Sequence, residues 1–120
     1  MNRRMFNRLQ PILNVRSVQA EREFYVRLGF EVSHESDGFV ALSCGAPVLF
    51  GLQQGEQGDP ASFERQMYWQ FGVDSVGDLA RRCEREGIPI ESPPALQEWG
   101  EWVLTLRSPS GYRVTFEGPA

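Results

Sequence analysis

A chain of 120 residues has room for one domain, or for two fused half-domains sharing a core. Hydrophobic residues make up 41% and charged residues 23%, ordinary for a soluble globular protein, and the formal net charge of -4 argues against nucleic acid and for a cationic or neutral partner. All 12 basic residues are arginine, which excludes Schiff-base chemistry by a lysine.

Met1 to Arg8 has arginines with no apolar stretch behind them, so neither a signal peptide nor a membrane span is expected, and the cytoplasm is the expected location. Leu9 to Val15 is a short apolar run that reads as a strand. Ser17 is placed to cap a helix in which Ala20, Phe24 and Leu28 recur at helical spacing with Tyr25 beside them. Gly29 supplies a left-handed stop, and Phe30 is placed to pack back on the last turn. Three strands follow, Glu31 to Ser36, Gly38 to Cys44 and Pro47 to Leu52, with turns at Asp37-Gly38 and Cys44-Gly45.

Gln53 to Arg65, rich in Gln, Gly and Asp, reads as a linker between module one (about 7–52) and module two (about 66–118). Met67 to Val73 opens the second module as a strand. Ser75 caps its helix, with Asp78 at the third position as a variant capping box, and Val76, Leu79, Ala80 and Cys83 form the apolar stripe that Gly87 ends. Ile88 to Glu91 reads as a strand interrupted by Ser92-Pro93-Pro94. Glu101 to Arg107 and Tyr112 to Glu117 form a hairpin around Ser108-Pro109-Ser110-Gly111.

The chain is therefore written twice. Val15, Ser17, Val18, Arg27 and Gly29 recur 58 positions later as Val73, Ser75, Val76, Arg85 and Gly87, each at a strand end, a helix start or a helix stop. The fold class is α+β: two βαβββ modules forming a curved mixed sheet with helices on the outer face.

Strand alternation sorts the two faces. Leu13, Val15, Val40, Leu42, Cys44, Trp69, Phe71, Leu104, Leu106, Val114 and Phe116 fall on the helix-covered side, and Cys44 and Cys83 read as buried free thiols. The open side carries Gln10, Ile12, Phe39, Tyr68, Gln70, Glu101, Val103, Thr105, Arg113, Thr115 and Glu117, a mixture of aromatic, amide, hydroxyl and charged groups that suits a pocket for an organic molecule. A face covered by another protein is the competing reading.

Two segments carry a family resemblance: Phe24-Tyr25-Val26-Arg27-Leu28-Gly29-Phe30 and Ser108-Pro109-Ser110-Gly111-Tyr112-Arg113-Val114. With the order of elements, they make the chain resemble the vicinal-oxygen-chelate superfamily, also called the glyoxalase/bleomycin-resistance/dioxygenase group. Gln97-Glu98-Trp99-Gly100 and Gln10-Pro11-Ile12-Leu13 are similar to segments of its bleomycin-resistance branch. The turn Ser-Pro-Ser-Gly departs from the usual Asp-Pro-x-Gly.

The resemblance implies a homodimer that exchanges its first strand. For the enzymes of the superfamily it also implies a divalent metal, with ligands from the first and last strand of each module. Those positions fall here at Gln10, Tyr68, Leu49 or Phe50, and Thr115, of which only Gln10 is a serviceable ligand for a hard cation. Glu117 lies one strand repeat beyond. His34, the one histidine, sits beside a turn and reads as solvent-facing. No metal and no other cofactor is therefore expected. A single histidine supports no Ser-His-Asp or Cys-His arrangement, and no phosphate-binding loop is present.

The resulting expectation is metal-independent binding and sequestration of a small aromatic natural product or antibiotic. Trp99, Tyr68 and Phe39 would supply flat surfaces, Gln10 and Gln70 amide contacts, and Thr105 and Thr115 hydroxyls. Glu101 and Glu117 would draw cationic groups, a field that Arg113 partly cancels. The alternative is a glyoxalase-like lyase, isomerase or dioxygenase, in which Glu101 or Glu117 would be the groups available for acid–base work.

Overall fold

The structure, a computed structural model, describes residues 5–45 and 47–120, so the reading of the arginine-bearing start falls partly outside the described residues. Two modules follow one another. The first contains β1 (Ile12–Val15), α1 (Val18–Leu28), β2 (Glu31–Ser36), β3 (Phe39–Ser43) and β4 (Val48–Gln54). After α2 (Pro60–Glu64), the second contains β5 (Trp69–Gly72), α3 (Val76–Glu86), β6 (Ser92–Leu96), β7 (Trp102–Arg107) and β8 (Arg113–Gly118). The fold is α+β, and each βαβββ module closes its own four-stranded mixed sheet, in the orders β1-β4-β3-β2 and β5-β8-β7-β6.

The repeat extends to individual hydrogen bonds. Ser17 and Ser75 each accept the backbone N–H three residues on, at 3.2 and 3.1 Å. At the other end, Gly29 and Gly87 adopt φ of 117° and 70°. The N–H of Phe30 then returns to the Tyr25 carbonyl and that of Ile88 to the Cys83 carbonyl, at 3.0 and 2.8 Å. A side chain at either glycine would meet the steric cost of the left-handed region. Phe30 packs edge-on against Tyr25, with ring centroids 5.4 Å apart.

Three expectations need correction. The segment read as a linker carries α2, because Asp59 caps it and Pro60 occupies its first turn, where a missing N–H costs nothing. The interrupted strand is the reverse of the one expected: Ile88–Glu91 is not a strand, whereas Ser92–Leu96, containing Pro93 and Pro94, is. It is an edge strand, its register slips between Ser92 and Ala95, and proline is tolerated at such an edge. Cys83 is buried as expected, but Cys44 is exposed, because β3 ends at Ser43 and the alternation stops with it.

The helix-covered faces of both sheets meet in one core. Phe50 of the first module touches Trp69 and Phe71 of the second, at centroid distances of 5.6 and 5.8 Å, and Phe30 touches Phe71 at 4.9 Å. The other face of each sheet looks away from that core. The radius of gyration is 15.2 Å, against roughly 13.5 Å for a compact chain of this length. Among the described residues, no helix is long and apolar enough to cross a membrane.

Candidate functional site

The outer face of the second sheet gathers most of the expected site residues, and the register explains how. Gln70 lies opposite Thr115, Thr115 opposite Thr105, and Thr105 opposite Ser92, so one polar row crosses all four strands. One step along, Tyr68 precedes β5 and Arg113 opens β8. The Arg113 guanidinium sits over the Tyr68 ring, 4.2 Å from its centroid. One step the other way, Val103 lies opposite Glu117.

Trp99 stands above this row. The turn joining β6 and β7 closes through Gly100 N–H to the Gln97 carbonyl at 3.0 Å, and it lifts the indole out so that Trp99 is 63% exposed. Its Nε1–H donates to Glu117 Oε1 at 3.2 Å, and Gln70 Nε2 donates to Glu117 Oε2 at 2.5 Å. The Thr115 hydroxyl lies 3.1 Å from Gln70 Oε1 and 3.2 Å from the Trp69 carbonyl, sharing its one hydrogen between them. Each side chain in the chain Trp99–Glu117–Gln70–Thr115 thus has its orientation fixed by the next, and the indole is held at a set angle over the sheet.

A pocket of about 200 Å³ lies under Trp99, lined by Tyr68, Gln70, Thr105, Arg113 and Thr115 among others. Glu101 and Glu117 open instead into an adjoining groove of about 430 Å³ that shares Gln70. Eight of the ten expected residues are thus brought together.

Gln10 and Phe39 are not among them, because they belong to the first sheet. Gln10 precedes β1, and the tip of the Phe39 ring reaches over Gly51, where an added Cβ would fall 2.7 Å from Phe39 Cζ. Pocket-lining Ser92, Pro93 and Ala95 were not anticipated, because the proline pair hid their strand, nor was Gln97 in the turn after it. Glu21 was missed as well. It shares the 21-24-25-28 stripe of α1 with Phe24, Tyr25 and Leu28, a spacing visible in the sequence, and it is fully buried. Burial pushes its carboxyl above the ordinary 4.5, against the opposing hydrogen bonds from Ser110 and Ser108.

The register also shows which residue of β4 corresponds to Thr115 of β8. Ile12 pairs with Gly51, and Gln70, its counterpart 58 residues on, pairs with Thr115. The counterpart of Thr115 is therefore Gly51, not Leu49 or Phe50. Phe50 is a core residue, in edge contact with Tyr25 at 5.0 Å. Gln10, Gly51, Tyr68 and Thr115 offer one amide oxygen, a phenol and a hydroxyl, and they are divided between two sheets. Among the described residues, no three His, Cys, Asp or Glu side chains are grouped to hold an ion. This donor set does not fit a divalent metal. His34 is exposed on β2, as expected, beside Phe39 at a centroid distance of 6.4 Å.

Comparison with known proteins places this geometry in a family. No curated protein sequence matches the chain. Among solved structures, a protein of unknown function from Agrobacterium tumefaciens superposes with a TM-score of 0.78 at 20% identity, covering 98% of this chain and 97% of its own. A bleomycin-binding protein complexed with bleomycin gives 0.71 at 23%, covering 96% and 100%. A lactoylglutathione lyase from Agrobacterium tumefaciens gives 0.72 at 19%, covering 96% of each. Likeness at these identities is likeness of fold. A family model matches residues 6–116, nearly the whole chain, and the chain belongs to the Glyoxalase/Bleomycin resistance protein/Dioxygenase superfamily.

Proposed function

We propose that this protein binds and sequesters a small aromatic natural product or antibiotic in the cytoplasm, without a metal. The observation that carries this reading is Trp99: a large exposed indole, fixed by Glu117, over a pocket walled by the Tyr68–Arg113 pair and floored by hydroxyls and amides. A pre-oriented flat ring loses little freedom when another flat ring stacks on it. The fold likeness to a bleomycin-binding protein supports the same class of function. The donor set described above disfavours a metal-dependent lyase, isomerase or dioxygenase.

The pocket in one chain is only half a site. About 200 Å³ is less than the roughly 300–1,000 Å³ that encloses a drug-sized ligand. A second copy supplies the missing wall in our reading, bringing the first-sheet face with Gln10 and Phe39 against the second-sheet face. Exposed Met5, Phe6 and Leu9 precede β1 and have no cover within the chain, which supports a homodimer. Since Ile12–Val15 already pairs with β4 of its own chain, the exchanged part would be the segment before Pro11 rather than the whole strand.

The test is a thermal-shift screen against bleomycin-type, quinoxaline and other DNA-binding antibiotics. A ligand at 100 times its dissociation constant adds about 2.7 kcal/mol of stability. The expected hit loses its shift in Trp99→Ala while the unliganded midpoint stays in place. A hit that survives Trp99→Ala, or a dimer in which the second-sheet face is wholly occluded by protein, would sink the proposal.

A further inference from the structure

The half-pocket is not acidic, although the chain is. The single charged side chain lining it is Arg113. Its guanidinium lies over the Tyr68 ring, 4.2 Å from the centroid. A cation–π contact with a ring uses none of the guanidinium N–H groups as a conventional hydrogen bond, so they are left to donate to an acceptor. Among the described residues, Arg113 forms neither an ion pair nor a hydrogen bond, whereas Arg22, Arg27, Arg81 and Arg107 are each paired.

The carboxylates around it are committed elsewhere. Glu117 accepts from Trp99 with one oxygen and from Gln70 with the other, and with Glu101 it opens into the adjoining groove. Glu91, whose carboxyl is lowered by Arg107 first and by Arg113 to a smaller extent, is held on both oxygens by Arg107 at 2.6 and 2.7 Å. Cross-strand from Arg113 stands Arg107, another cation. A guanidinium with no hydrogen-bonded carboxylate attracts an acceptor and repels a cation placed under Trp99.

We infer that the aromatic ligand carries an anionic acceptor, a carboxylate, sulfonate or phenolate, on the edge that meets the N–H fork of Arg113. Trp99 takes the ring and Arg113 takes the acceptor. This rests on the reading that the half-pocket binds an aromatic molecule. It replaces the expectation of a cationic group at this position and leaves the acidic groove as the place for any cationic tail.

Three planar probes of one size separate the possibilities by titration calorimetry: 2-naphthoate, 2-naphthamide and protonated 2-naphthylmethylamine. The naphthoate should bind about tenfold tighter than the ammonium probe, the factor that one charge-assisted hydrogen bond carries. Arg113→Gln should abolish that preference, while Arg113→Lys should keep part of it, since a point charge replaces a fork. Naphthamide binding to each variant shows that its pocket is folded. Equal binding of all three probes to the wild type, or naphthoate binding unchanged in Arg113→Gln, overturns the anionic assignment alone. Binding of none of the three overturns the aromatic reading beneath it.

Discussion

Glu21 Oε1 accepts the backbone N–H of Ser110 at 2.5 Å, joining α1 of the first module to the β7–β8 turn of the second. The bond is buried, and Ser108, Ser110 and Tyr112 around it are buried too. Close by, the Tyr112 hydroxyl donates to the Asn14 carbonyl at 2.8 Å, and Gln57 bridges Arg16 N–H and the Ser110 carbonyl at 3.0 and 2.9 Å. The modules are thus fastened by polar contacts at one end of their seam and by Phe30, Phe50 and Phe71 in the core.

The sign of the resulting pH dependence follows from burial. Glu21 holds its proton more tightly when folded than when unfolded, so between 4.5 and its raised folded value the native state binds more protons. Stability from this group is greatest below that window and falls as pH rises through it. Glu21→Gln should keep the acceptor for Ser110 and flatten the fall. Glu21→Ala should cost about 1–3 kcal/mol at low pH by orphaning the Ser110 N–H, and less as pH rises through the window. Urea midpoints between pH 4 and 8 would show it, and a wild-type midpoint rising across that window would contradict the assignment unless other carboxylates outweigh Glu21, which the Gln variant isolates.

Phe39 and Gly51 form a matched pair. A Cβ at Gly51 would fall 2.7 Å from the Phe39 ring, so Gly51→Ala should cost about 1–2 kcal/mol as the ring is pushed aside. In the Phe39→Ala background the same change should cost clearly less, because the obstacle is gone. A coupling energy near zero in that double-mutant cycle would mean that the ring does not rest there in solution.

Divalent metal should leave the protein unmoved. Added zinc, nickel or manganese at a tenfold excess over protein, or prolonged chelation, should change the melting temperature by less than about a degree, since a site with no affinity adds nothing to stability. Stoichiometric metal surviving dialysis would require a donor set different from Gln10, Gly51, Tyr68 and Thr115.

Removing residues 1–9 should shift sedimentation toward the monomer at micromolar concentration, because it takes away the exposed Met5, Phe6 and Leu9 that a second copy would cover. The helical signal should persist, as no described backbone hydrogen bond of β1 or α1 depends on those residues. A full-length chain that already sediments as a monomer would remove the basis for a two-chain site.

The sequence by itself determined what local chemistry can determine. Ser17 and Ser75 announce helix starts, and Gly29 and Gly87 announce stops. Alternation puts Val40, Leu42, Leu104, Leu106, Val114 and Phe116 in the core, but it does not expose the side opposite, where Ala41, Ser43, Thr105 and Thr115 are buried as well. The repeat at 58 residues follows from these, and with it the α+β class. Local signals ran out where a residue's meaning depends on its neighbours in space. Pro93-Pro94 marks a break in a central strand and is harmless at an edge, and only the sheet order says which applies. Glu21 carries the helical spacing of a core residue and the chemistry of a surface one, and the turn that satisfies it lies 89 positions away. The sequence leaves the counterpart of Thr115 between Leu49 and Phe50, whereas pairing of Ile12 with Gly51 puts Gly51 there. Tertiary structure also decided that Gln10 and Phe39 stand on a different sheet from Trp99, because the modules join through their helix-covered faces and turn their open faces outward.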